Sequence, residues 1–80
     1  MKNIKIRYFA LLKEKRGLGE EELKVETLTY KDLYEDLSKQ YFFNLPVELI
    51  QVAVDDEFVS IHELIKDKAR VVFIPPVAGG

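Results

Sequence analysis

Apolar and polar residues alternate over residues 3–9, with Ile4, Ile6 and Tyr8 on one side and Lys5, Arg7 and Phe9 on the other. A period of two predicts a half-buried strand. Ala10-Leu11-Leu12-Lys13-Glu14-Lys15-Arg16 is a run of good helix formers, enough for one or two turns before Gly17-Leu18-Gly19 breaks it. Alternation returns over 21–27, Leu23 and Val25 against Glu22, Lys24 and Glu26, and predicts a second strand antiparallel to the first. The pattern then changes period. Tyr30, Leu33, Tyr34, Leu37 and Tyr41 recur at helical spacing, and Thr29 followed by Asp32 resembles a capping box with Asp in place of Glu or Gln. The apolar stripe of this helix is expected on the sheet, and Lys31, Glu35, Asp36 and Lys39 on a solvated face.

Residues 42–49 have no clear period. Asn44 and Pro46 interrupt them, and Val47-Glu48-Leu49-Ile50 leaves a helical turn or a connector open. Gln51 to Ser60 reads as a hairpin in which Val52 and Val54 point inward, Asp55-Asp56-Glu57 turns and Phe58-Val59 returns. Ile61, Leu64 and Ile65 are expected to bring the chain across the core. Asp67-Lys68 then turns it into Arg70-Val71-Val72-Phe73-Ile74, an apolar run suited to a strand covered on both sides. The order ββαββ predicts an α+β fold, a mixed sheet wrapped around one main helix. The folded unit should span residues 1–74, with residues 75–80 an extended tail.

That tail, Pro75-Pro76-Val77-Ala78-Gly79-Gly80, carries the candidate chemistry. Two prolines hold the chain extended and withhold backbone donors, so the segment can neither continue a helix nor pair as a central strand. The residues after them are small, and glycine lets a backbone enter a channel too narrow for side chains. A closing Gly-Gly arises by chance in roughly 0.5% of chains at average glycine frequency. Six extended residues reach about 20 Å, far enough to carry the Gly80 carboxylate into another protein's active site.

Composition narrows the possibilities. The 80 residues contain no cysteine and one histidine, and the net charge is −2. Neither a disulfide framework, a thiolate nucleophile nor a usual zinc set is available, and no basic stripe marks a nucleic-acid binder. No apolar run approaches a membrane span or a signal peptide, so a cytoplasmic protein without membrane or nucleic-acid partners is expected. His62 has no Ser, Cys or acid spaced to form a relay with it and is expected to be structural or solvent-facing. Asp55-Asp56-Glu57 reads as a solvated turn before a metal site. Tyr30, Tyr34 and Tyr41 read as packing before a stacking platform.

A helix laid over such a sheet resembles the β-grasp, or ubiquitin-like, fold, and a terminal Gly-Gly resembles the modifiers and sulfur carriers built on it. Phe73-Ile74-Pro75-Pro76-Val77-Ala78-Gly79-Gly80 is similar to the FxPPVxGG ending of the molybdopterin synthase small subunit, the MoaD family of the MoaD/ThiS ubiquitin-like superfamily. The opening strand from Ile4 to Ala10 and the hairpin Val52 to Val59 agree with it. Two positions depart from the family pattern: Lys68-Ala69 stands where a Gly-Asp pair is usual, and Asp55 where Asn is frequent.

The resemblance implies a sulfur carrier in molybdenum cofactor biosynthesis, inactive alone and binding no cofactor or metal stably. A carboxylate with a pKa of about 3.5 resists nucleophilic attack at neutral pH. The family implies a ubiquitin-activating-enzyme-like adenylyltransferase that spends ATP, with magnesium, to adenylate Gly80. A persulfide then leaves a thiocarboxylate, which the large synthase subunit uses on a cyclic pyranopterin phosphate within a heterotetramer. Gly79, Ala78 and Val77 would give passage and Pro76 and Pro75 pre-order the exit. Strand alternation puts Phe9, Ala53, Phe58 and Ile74 on the sheet face away from the helix, an apolar patch expected to dock partners unless Phe42-Phe43 covers it. Carriers for thiamine thiazole synthesis or tRNA thiolation share the mechanism, and a ubiquitin-like modifier joined through Gly80 to lysines is the alternative of another class.

Overall fold

Ile4, Ile6 and Tyr8 all turn into the core from strand β1 (Lys2–Tyr8), as their period requires. In this computed structural model, which describes residues 1–76, β1 is followed by α1 (Ala10–Arg16), β2 (Glu20–Val25), α2 (Tyr30–Tyr41), a 3-10 turn (Val47–Leu49), β3 (Gln51–Val54), β4 (Glu57–Val59) and β5 (Arg70–Ile74). The sheet runs β2-β1-β5-β3-β4. β1 and β5 are parallel at its centre and the other pairs are antiparallel, so this is the mixed sheet of a β-grasp fold. β1 ends before Phe9, which is the N-cap of α1 instead of the strand's last residue.

α1 stops where Gly17 takes a left-handed backbone, φ 85°, and its N–H caps the Lys13 carbonyl. α2 starts at Thr29, whose Oγ1 accepts from the Asp32 N–H at 3.2 Å. Its next free donors are met from another part of the chain: the Tyr30 and Lys31 N–H groups donate to the carbonyls of Glu63 and Ile61. Backbone groups left over by a helix end must find partners somewhere, and here residues 61–63 supply them. Tyr30, Leu33, Tyr34 and Leu37 are buried and Tyr41 lies at the rim, so the tyrosines pack as expected.

Several expectations change. Ile65 crosses the core, but Leu64 is 66% exposed, because a bridge to Thr29 holds this segment extended and neighbouring side chains must then point oppositely. β5 is flanked by strands on both edges but covered on one face only: Val71 and Phe73 are buried, Val72 and Ile74 half-buried. The hairpin turn is Asp55-Asp56 alone, with φ of 51° and 71°, and Glu57 already pairs with Val54. Positive φ at both central residues gives the turn whose twist matches the strands it joins.

The two departures noted above both fall on left-handed backbone, Lys68 at φ 64° and Asp55 at φ 51°. Glycine and asparagine rest more easily there. Asp55 compensates by accepting from the Arg70 N–H at 3.0 Å, which ties the hairpin to the start of β5. Residues 42–46 owe their aperiodicity to Phe42, left-handed at φ 54°. The reversal leaves Phe42 71% exposed and buries Phe43 completely, on the helix side of the sheet among Tyr8, Tyr34 and Tyr41. Phe42-Phe43 therefore does not cover the outer face.

Candidate functional site

β5 is the central strand that leads to the tail, and its inward residues anchor it. Phe73 is fully buried and meets Tyr34 edge-on, ring centroids 5.5 Å apart, a favoured aromatic geometry. Its outward residues form the middle of an apolar strip. Val72 stands opposite Ala53 of β3 and Arg7 of β1, Ala53 stands opposite Phe58 of β4, and residues directly opposite share a face. Phe58 is 70% exposed. At the tail end of the strip, Ile74 lies with Phe9 in one open groove, and the Arg7 guanidinium sits 5.2 Å from the Phe9 ring centroid, a cation–π contact that fixes the ring.

The three residues expected at the interface are thus on one side of the molecule, with Phe9 beside Ile74 and Phe58 two strands away. Val72 was missed by the sequence reading, although strand parity gives it the same outward register as Ile74. Leu11 and Glu14, three apart on α1, share a helix face, and with Leu45 they line the groove beside Phe9, Ala10, Ile74, Pro75 and Pro76; no local pattern says which part of the sheet that face meets, and Leu45 lies in the aperiodic stretch.

The groove walls are held from within. On one side, Arg16 donates from Nε and Nη2 to the Glu21 carboxylate at 2.7 and 2.8 Å, and the Tyr8 hydroxyl donates to the same group at 2.6 Å. This ties the end of α1 to β1 and β2. Arg16 and Tyr8 hold the Glu21 carboxyl below the usual carboxylate range against the opposing effect of its burial. Burial, and then the hydrogen bond to Glu21, push the Tyr8 phenol well above its ordinary value. On the other side, the Tyr34 hydroxyl donates to the Leu45 carbonyl at 2.8 Å; burial raises its pKa to about 12.

Pro75 is buried at the root of the tail and Pro76 is exposed. The calls on Val77, Ala78, Gly79 and Gly80 lie outside the described residues. His62 is exposed, and its backbone N–H donates to Ser60 Oγ at 3.1 Å, so that serine serves a turn. Among the described residues no group of three or more His, Cys, Asp and Glu could hold a metal ion, and no helix is long and apolar enough to cross a membrane. What the described residues present here is an apolar strip and an open groove beside Pro75 and Pro76.

Such an architecture defines a ubiquitin-like β-grasp domain of the sulfur-carrier type. The chain belongs to the ThiS family, which it matches over residues 6–80, and so to the MoaD/ThiS ubiquitin-like superfamily. Among solved structures it is similar to a protein of Pyrococcus furiosus described as a molybdopterin converting factor, subunit 1: 26% identity, 96% of this chain and 100% of that one covered, TM-score 0.77. It also shares its fold with the small archaeal modifier protein 1 of Methanosarcina acetivorans (23% identity, 100% and 98% covered, TM-score 0.75). A chain of the BexX/CysO complex of Amycolatopsis orientalis is a third likeness (24% identity, 96% and 99% covered, TM-score 0.66).

Proposed function

We propose that this protein is the sulfur carrier subunit of a molybdopterin synthase, with Gly80 as the residue that carries sulfur. The observation that supports this most is the ending Pro75-Pro76-Val77-Ala78-Gly79-Gly80, placed directly after a central strand whose outward side chains continue an apolar face. The family match reaches Gly80, and the likeness to the Pyrococcus converting factor subunit agrees with it.

With Gly80 terminal, its carboxylate attacks the α-phosphate of ATP on an adenylating partner that supplies magnesium, and pyrophosphate leaves. The terminal sulfur of a partner's persulfide then attacks the acyl carbon and AMP leaves. A second partner thiol reduces the resulting acyl disulfide, releasing the thiocarboxylate and oxidising the partner's sulfurs to a disulfide. In the large synthase subunit this sulfur is the nucleophile toward a cyclic pyranopterin phosphate, and hydrolysis returns the carboxylate. This chain contributes the reacting terminus, its passage and the docking face; the acids, bases and pterin pocket belong to its partners.

The modifier reading has support in the similar TM-score of the archaeal modifier protein, since the fold serves both uses. Intact-mass measurement after co-expression with an adenylating enzyme and a sulfur source separates them. Replacement of one oxygen by sulfur supports the carrier, whereas isopeptide adducts on lysines support the modifier. Conversion of the pterin precursor by the thiocarboxylated protein with the large subunit then tests the pathway, and failure with that subunit but success with a thiazole or tRNA acceptor overturns it.

A further inference from the structure

Beside the root of the tail, the groove lined by Phe9, Ala10, Leu11, Leu45, Ile74 and the two prolines also contains one ionisable side chain, Glu14. Glu14 forms no salt bridge among the described residues. We infer that this groove receives an apolar side chain and a neighbouring lysine or arginine from the large synthase subunit that takes in the tail, the cation pairing with Glu14. The inference rests on the proposed delivery of Gly80 and specifies the chemistry of the partner's rim.

The reach of the tail bounds where that partner sits. With Gly80 terminal, as proposed, four residues follow Pro76, and four extended residues span at most about 14 Å. A partner that consumes the Gly80 carboxylate must bring the mouth of its site within that distance of Pro76. The rim of that mouth therefore comes close to the groove, of which Pro76 is itself a wall.

Charge then decides what the rim presents. An apolar rim laid on Leu11, Leu45 and Ile74 removes water from Glu14, and a carboxylate stripped of water without a partner is costly. A cation opposite offsets that cost, and nothing in the groove itself supplies one. The groove is also ready to bind: the Arg16–Glu21 pair and the Tyr34–Leu45 hydrogen bond hold its two sides, and Arg7 holds the Phe9 ring. Little ordering is left to be lost on association. The left-handed backbone of Ala10, φ 49°, lies in the same wall; strain of this kind persists only where the surroundings enforce it.

The test is titration calorimetry of the full chain against a purified molybdopterin synthase large subunit, at low and moderate salt. Glu14→Gln should weaken binding about tenfold at low salt and flatten its salt dependence, and Glu14→Lys should weaken it further. Leu11→Ala should weaken binding by about five- to tenfold with the salt dependence unchanged. Both side chains are exposed, so thermal midpoints should stay near wild type. Wild-type binding that Glu14→Lys leaves unaltered overturns this inference and spares the function proposed above. Failure of the wild-type chain to bind the large subunit overturns both.

Discussion

Arg16 and Glu21 meet as a two-pronged pair, Nε and Nη2 at 2.7 and 2.8 Å from the two carboxylate oxygens, with both side chains largely buried. The carboxyl's folded pKa lies below its ordinary value. Its contribution to stability is therefore complete above the unfolded pKa, about 4.3, and is lost as pH falls through the folded one. Arg16→Leu should lower stability at neutral pH by about 1–3 kcal/mol. It should also reduce the loss of stability as pH falls below the ordinary carboxylate range. Acid unfolding followed by circular dichroism for both chains checks this; parallel pH profiles would show that the pair is not coupled to folding.

Tyr8 makes the complementary case on the alkaline side. Its phenol is held neutral by burial first and by its hydrogen bond to Glu21 second. A pKa raised in the folded state gives stability that is fully present below the unfolded value, about 10, and lost as pH rises beyond it. Tyr8→Phe should therefore flatten the decline in thermal midpoint above about pH 10. Spectrophotometric titration should show one fewer phenol ionising only on unfolding.

Phe42 ends α2 at φ 54° with its ring mostly in solvent. An L side chain in that conformation costs roughly 1–2 kcal/mol, and glycine gives part of this back through unfolded-state entropy of about 0.4–1 kcal/mol. Phe42→Gly should thus stabilise the fold by about 0.5–1 kcal/mol, a rise of several degrees in midpoint. Lys68→Gly, at φ 64°, should act in the same direction. A lower midpoint in both would mean that these side chains make stabilising contacts.

Phe58 and Phe73 separate surface from core on the same sheet. Phe58→Asp changes an exposed side chain and should leave stability within about 0.5 kcal/mol while weakening partner binding tenfold or more, about 1.4 kcal/mol. Phe73→Ala should cost about 3–5 kcal/mol, a large part of a small domain's stability. Thermal melts and calorimetry on the two variants distinguish these outcomes; unchanged affinity of Phe58→Asp for the large subunit would remove the outer strip from the docking face.

Local rules made much of this fold legible. Ile4, Ile6 and Tyr8 gave β1 by period alone, Thr29 and Asp32 marked the start of α2, and Gly17 marked the end of α1, whereas Phe9 continued the alternation of the strand although it caps the helix. Illegible features depended on partners distant in sequence. Phe42 and Phe43 are adjacent and look alike, and only the left-handed turn sends one outward and the other inward. Leu64 looked like a core residue until its pairing with Thr29 set the side on which it emerges. The Tyr8–Glu21–Arg16 cluster left a faint signal, since Glu21 shares the inward parity of Leu23 and Val25; its meaning came from side chains brought together by folding. At the site, Ile74 and Phe58 followed from strand parity, whereas Leu11, Leu45 and Glu14 required the three-dimensional course of the chain.

The central claim is that sulfur is carried at the carbonyl of Gly80. The direct measurement is intact mass of the wild-type chain and of a variant extended by one alanine after Gly80, each incubated with the adenylating enzyme, ATP and a persulfide donor. The wild-type chain should exchange one oxygen for sulfur, and the extended chain, with an unchanged thermal midpoint, should gain none. Sulfur on the extended chain, with transfer onward to the pterin precursor, would contradict the account.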